Sequence, residues 1–189
     1  MLQFHFNWKT VSVIAGVTFW NFYFEIFEAA VKSEQVIEFL RHLLRYIEGD
    51  ILLIWDRLPA HRSRITQRFI ADQKGRLEVE YLPPYAPELN PVEYIWAHCK
   101  HHELPNVCAK NLWDLGEGAR RSLKRMRRRP RLITAFWKQA SLFDLTPLYY
   151  AGFSNVALVD QVALGRGPRR SQEPSQRQND NDGRRRSRR

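Results

Sequence analysis

The chain has 189 residues, 44% apolar and 13% aromatic, which suits one domain with a sizeable core. A charged fraction of 26% excludes wholesale disorder, and two cysteines, Cys99 and Cys108, exclude a disulfide framework and predict an intracellular protein. A net charge of +10 points to a polyanionic partner, while the longest apolar run, 13–24, is broken by Thr18 and Asn21 and is too short to span a bilayer.

Residues 10–17 (TVSVIAGV) and 22–27 (FYFEIF) are β-branched, aromatic and roughly alternating. They predict an antiparallel pair of strands whose turn, 18–21, has Asn21 as its only typical turn residue. Ser33 reads as an N-cap, and Val36, Ile37, Leu40, Leu43, Leu44 and Ile47 recur at helical spacing until Gly49. ILLIW (51–55) predicts a strand buried on both faces, with Asp56 at its carboxyl end. A helix is expected over 63–73 with Ile65, Phe69 and Ile70 inward, then a strand over 77–82. Pro83, Pro84 and Pro87 stiffen the loop that follows. Asn90 as N-cap and Pro91 as first helical residue start a helix carrying Glu93 in its first turn and Val92, Trp96 and Cys99 on its apolar side. Helices over 111–128 and 132–143 complete a β-β-α-β-α-β-α-α-α order, an α/β layered domain with a mixed sheet. Residues 144–165 are apolar but carry no clear period.

The charge is concentrated. Residues 166–189 carry nine Arg against three acids, and 118–131 (GARRSLKRMRRRPR) carry eight basic residues and no acid. The first segment, rich in Ser, Gln and Asn, predicts a disordered tail. The second is broken by Leu123 and Met126 at helical spacing and predicts a helix whose basic face meets phosphate through Arg120, Arg121, Lys124, Arg125, Arg127, Arg128 and Arg129.

In an open α/β sheet, functional groups gather at the carboxyl ends of strands. Asp56 stands at one such end, and Glu93 is reached from the next strand. Two convergent carboxylates suit Mg²⁺ or Mn²⁺, and a pair of such ions serves phosphoryl transfer. Asp56 alone is equally compatible with an Asx-turn, and Glu93 with a capping box. His98, Cys99, His101, His102 and Cys108 lack a zinc-ligand spacing.

The strings IWDRLPAHRS (54–63) and LPPYAPELNPVEYIWAHCKHHEL (82–104) resemble the catalytic core of DDE transposases, and more narrowly the bacterial insertion-sequence transposases related to the mariner elements. The resemblance covers about residues 4–143. It implies an RNase-H-like fold, Asp56 and Glu93 as ligands of a two-metal Mg²⁺ or Mn²⁺ site, and a supporting His61. Arg57 and Arg62 flank the Asp56 motif, and Lys100 lies more than one turn beyond Glu93; each reads as a contact to DNA phosphate or as an ordinary surface charge. It implies DNA as partner, no membrane and no small-molecule substrate, and a cytoplasmic, nucleoid-associated bacterial protein. The family's first catalytic Asp lies on a strand upstream of the hairpin, as does a helix-turn-helix domain. Neither is found before Glu25, and Glu25 and Glu28 lie where the family has no ligand. The expectation is therefore a truncated RNase-H-like catalytic domain over 1–104 lacking its first strand, a basic helical extension over 105–143, and the tail over 166–189. Such a chain would be nearly inactive alone, would pair with a missing amino-terminal half or with itself, or would persist as a non-catalytic nucleic-acid-binding remnant.

Overall fold

The structure, a computed structural model, describes residues 8–84, 86–104, 109–140 and 155–168. Its strands are β1 (Trp8–Val17), β2 (Phe22–Phe27), β3 (Ile51–Trp55), β4 (Leu77–Tyr81) and β5 (Asn155–Pro168). Its helices are α1 (Ser33–Tyr46), α2 (Arg64–Ala71), α3 (Pro91–His98), α4 (Leu112–Arg127) and α5 (Pro130–Gln139). The five strands form one mixed sheet in the order β2-β1-β5-β3-β4. This is the RNase-H-like arrangement of strands between helical layers.

The β1–β2 hairpin is antiparallel, from Ser12↔Phe27 to Val17↔Phe22. Its chemically plain turn is closed by Thr18, whose N–H donates to the Asn21 carbonyl (2.8 Å) and whose hydroxyl accepts from the Asn21 N–H (3.0 Å). The Trp137 indole N–H donates to the Thr18 carbonyl (2.8 Å), so α5 holds the turn as well. ILLIW forms β3 and is buried throughout, as a parallel strand flanked on both sides must be.

Two apolar layers cover the sheet. On one face Val36, Phe39, Leu40 and Leu43 of α1 pack on Ile14, Leu53, Trp55 and Val159. On the other, Val92, Ile95 and Trp96 of α3, Leu123 and Met126 of α4, and Ile133 and Trp137 of α5 pack on Val13, Phe22, Ile54 and Leu158. Helices α4 and α5 are thus a wall of the core, not an extension appended to it.

Several expectations change in detail. Ser33 is the first residue of α1, and Lys32 holds the cap position with its N–H donating to Gln35 Oε1 (3.0 Å). Ile65 points outward, 47% exposed, while Thr66 is buried and its hydroxyl donates to the Ala60 carbonyl (2.8 Å). A short polar residue reaches that carbonyl; a branched apolar one cannot satisfy it. The last helix begins at Pro130 rather than 132, with Pro at its first position, and runs to Gln139; the expected 141–143 lie outside the described residues.

The largest difference concerns the carboxyl-terminal part. Residues 155–168, without a readable period up to 165 and expected in the tail from 166, form β5, so the sheet is not confined to 1–104. The expectation of a disordered tail over 169–189 lies outside the described residues. Strand β5 fills the slot between β1 and β3. It runs antiparallel to β1, from Trp8↔Pro168 to Val17↔Leu158, and parallel to β3, from Ile51↔Asn155 to Trp55↔Val159. A central strand is buried on both faces: Val156 and Leu158 face α3–α5, and Ala157 and Val159 face α1. That double burial removes the period-two signal on which strand recognition depends.

Candidate active site

Asp56 and Asp160 each lie one residue beyond the Trp55↔Val159 pair, so two neighbouring parallel strands deliver a carboxylate to the same edge. Asp160 shares the alternation of Val156 and Leu158, which puts it on the α3 face. The third acid, Glu93, lies in the first turn of α3, and its side chain is exposed.

The loop after β3 fixes Asp56. Its Oδ1 accepts the Leu58 N–H (3.1 Å), an Asx-turn, and lies 2.7 Å from His61 Nδ1. The Asx-turn therefore does not preclude a site role for Asp56. His61 is fully buried and stacks on Trp55, with ring centroids 4.2 Å apart and planes 2° apart. In the tautomer that this contact requires, Nδ1–H donates to the carboxylate. The loop is locked from α2, where Gln67 Nε2 donates to the His61 carbonyl (2.9 Å) and to the Tyr81 hydroxyl (3.0 Å).

The start of α3 fixes Asp160. Asn90 caps the helix, its Oδ1 accepting the Val92 N–H (3.1 Å), and its Nδ2 donates to Asp160 Oδ2 (3.1 Å). The capping box that would have explained Glu93 is not formed, because the Asn90 N–H donates to the Pro87 carbonyl (2.9 Å). Asp160 is 5% exposed. Burial pushes its carboxyl well above the ordinary range; the charge of Glu93 adds to this, as do the charge of Asp56 and a hydrogen bond with Glu93, against the Gln161 N–H, which donates to Oδ1 (2.6 Å). Asp160 thus sits in the negative field of the other two acids.

The donor set is three hard carboxylates whose mutual repulsion a divalent cation relieves, which fits Mg²⁺ or Mn²⁺. As they stand, no three His, Cys, Asp or Glu side chains among the described residues already surround a common point. Gripping an ion requires side-chain rotation, and the exposed Glu93 and the 40%-exposed Asp56 have room for it.

The basic residues divide. Arg57 and Arg62 are exposed on the Asp56 loop, with the Arg57 guanidinium 5.3 Å from the Tyr81 ring centroid. Lys100 is exposed on the π-helical turn (Cys99–Glu103) that extends α3. That turn swings Glu103 inward, where its carboxylate accepts from Arg125 Nη2 (2.6 Å) and Nε (3.2 Å), with Arg129 at 3.7 Å. The ion pair joins the helix bearing Glu93 to the basic helix α4. Arg120 pairs with Glu117, Arg127 lies over the Phe24 ring, and Arg121, Lys124 and Arg128 are exposed.

Other candidates lie elsewhere. Glu25 pairs with His42 of α1 (2.8 Å), opposite Ile14 and so on the far face of the sheet. Cys99 is buried, and burial pushes its thiol up to about 11, which disqualifies it as a nucleophile. His98 and His102 pack ring against ring, 4.8 Å apart, without a further ligand beside them among the described residues. Cys108 lies outside the described residues.

Sequence reasoning missed Asp160 and the second bond of Asn90. The one available signal was an Asp after a four-residue apolar run, VALVD, which repeats the logic of ILLIWD. A family model described as DDE superfamily endonuclease matches residues 4–115, and no curated protein matches the chain. The matched span holds Asp56, His61, Asn90 and Glu93 and stops short of Asp160.

Proposed function

Given that this chain belongs to the DDE superfamily endonucleases, we propose that it is a transposase catalytic domain that cleaves DNA phosphodiesters with Asp160, Asp56 and Glu93 as its acidic centre. In this reading β5 does the work of the family's first strand from the carboxyl-terminal side of the chain. The resemblance drawn from 54–63 and 82–104 further favours the mariner-like insertion-sequence branch. The observation that carries the proposal is the register that sets Asp160 beside Asp56, with Glu93 acting on Asp160 from α3. This replaces the expectation of a centre with only two carboxylates, which searched for the third acid upstream of the hairpin alone.

The division of labour follows from the environments. His61 holds Asp56 through Oδ1. Asn90 and the Gln161 N–H hold the two oxygens of Asp160. Glu93, on an exposed helical turn, is the mobile member that closes on the ions and the substrate phosphate. Bound Mg²⁺ or Mn²⁺ would activate water and stabilise the leaving oxygen. The exposed cations of α4, with Arg57, Arg62 and Lys100, would hold the phosphate backbone.

The test is nicking of supercoiled plasmid by the full chain with Mn²⁺. Wild type should nick, and Asp160→Asn, Asp56→Asn and Glu93→Gln should each abolish it. An Asp160→Asn variant as active as wild type would sink the assignment. The exposed cations Arg121, Lys124 and Arg128 of α4 favour one second reading, a non-catalytic DNA-binding domain. It expects tight, salt-sensitive binding indifferent to all three substitutions, with no nicking.

A further inference from the structure

We propose that Asn90 is a positioning residue that sets the separation between Asp160 and Glu93, and thereby how tightly the acidic centre grips a divalent cation. The inference rests on the reading of the three acids given above.

Asn90 is 4% exposed and stands where the Pro87–Leu89 turn passes into α3. Its side-chain amide has one acceptor and two donors. The acceptor is used locally: with Pro91 lacking an N–H, the first helical donor available is Val92, which Oδ1 takes at 3.1 Å. That bond also fixes which end of the amide faces Asp160, because the Val92 N–H can meet only the oxygen. The Nδ2 donor then reaches Asp160 Oδ2 at 3.1 Å, across 70 residues of sequence. One planar group is thereby bonded to the start of the helix that carries Glu93 and to the carboxylate on β5.

The alternative side chains show why both bonds need Asn. Serine and threonine cap a helix as well, but their hydroxyl sits one bond from Cβ and cannot accept from Val92 while spanning to Asp160. Aspartate caps but offers no donor, and it would add a fourth negative charge. Alanine loses both bonds. Asp160 Oδ1 is already fixed by the Gln161 N–H (2.6 Å), so loss of the Asn90 bond frees Oδ2 alone. The carboxylate would then be held only by the Gln161 N–H and by Glu93, which itself moves with α3.

The test compares wild type, Asn90→Ser and Asn90→Ala as full chains, by Mn²⁺ titration calorimetry and by thermal melting in EDTA. A positioning role predicts that Ser, which keeps the cap, melts close to wild type yet binds Mn²⁺ at least about tenfold more weakly, the range seen when outer-shell partners of metal ligands are removed. Ala should bind as weakly as Ser and also melt lower. Nicking by the Ser variant should lose kcat with KM for DNA unchanged. A cap-only role predicts instead that Ser binds Mn²⁺ as wild type does and that Ala alone is impaired; that result overturns the proposal. Wild type failing to bind Mn²⁺ removes the metal reading of the three acids, and this inference with it. If the Ser variant does not fold, Asn90→Thr, which carries the same cap chemistry, supplies the comparison.

Discussion

Asp160→Asn is expected to gain stability relative to the wild type, in the metal-free protein, as pH rises from acid towards neutral. The wild-type carboxyl is held well above its ordinary value of 3.8, first by burial and then by Glu93. At a pH below 3.8 it is protonated in both the folded and the unfolded chain, and it contributes no pH dependence. As pH rises past the unfolded value, the unfolded chain releases this proton and the folded chain keeps it. The folded state then binds more protons, so stability falls as pH rises, until the folded group also ionises. Within that window one proton is worth about 1.4 kcal/mol per pH unit. For a chain of this length that corresponds to a melting temperature lower by roughly 3–6 °C per unit. Asparagine has the same shape and never ionises, but it has one acceptor where the carboxylate has two, so either the Asn90 amide or the Gln161 N–H loses its partner and the variant carries a pH-independent penalty. Melting curves of both proteins in EDTA, from pH 4 to pH 8, isolate the residue as a difference, because every other carboxylate is common to both. At pH 4 the difference should equal the pH-independent cost of the lost acceptor, and it should shift in favour of the variant as pH rises. Saturating Mn²⁺ should close it from the wild-type side, since ligand at a hundred times its Kd adds about 2.7 kcal/mol to the form that binds it. A difference that stays flat from pH 4 to pH 8 refutes both the burial of Asp160 and its exposure to the field of Glu93 and Asp56.

Three other outcomes follow from the same geometry. His61→Ala removes a fully buried ring stacked on Trp55 and its bond to Asp56, and should cost about 3–5 kcal/mol in urea unfolding while lowering nicking; a loss below 1 kcal/mol would mean the ring is not packed as described. Leu158→Ala, in the middle of β5 and fully buried, should cost about 2–5 kcal/mol and reduce Mn²⁺ binding with it, because the strand that anchors the core also carries Asp160. Replacing Arg121, Lys124 and Arg128 by Gln should reduce the slope of log affinity for duplex DNA against log salt by up to about 0.9 for each phosphate no longer neutralised; an unchanged slope would take α4 out of the interface.

What was legible in the sequence is what local chemistry dictates. ILLIW reads as a doubly buried strand, a five-residue apolar run too short for a helix, with Asp56 at its end. Asn90–Pro91 could only begin a helix, so Glu93 was bound to its first turn. Helices α1 and α4 were legible because their buried residues recur at helical spacing, as Val36, Leu40 and Leu43 do in α1, whereas in α2 Thr66 is the only buried residue and the expected inward Ile65 is exposed. The bonds that join distant segments were not legible: Asn90 to Asp160, Glu103 to Arg125, Trp137 to Thr18. Each partner had an adequate local explanation by itself, as a cap, a surface acid and a core aromatic.

Asp160 shows the same limit more sharply. VALVDQVAL has no period because its strand touches apolar helices on both faces, and such a strand cannot be told from a buried helix by pattern alone. Its meaning comes from the slot it fills. Without β5, β1 and β3 would each present a row of unpaired N–H and C=O groups to the other across an opening in the middle of the sheet. A strand of 14 residues that pairs antiparallel with β1 and parallel with β3 satisfies both rows. Once the backbone has fixed that register, the side chain one step past Val159 must emerge beside Asp56, whatever its position in the chain. The third carboxylate is therefore a consequence of sheet completion, and the chain order that makes it unexpected has no bearing on the chemistry that it makes available.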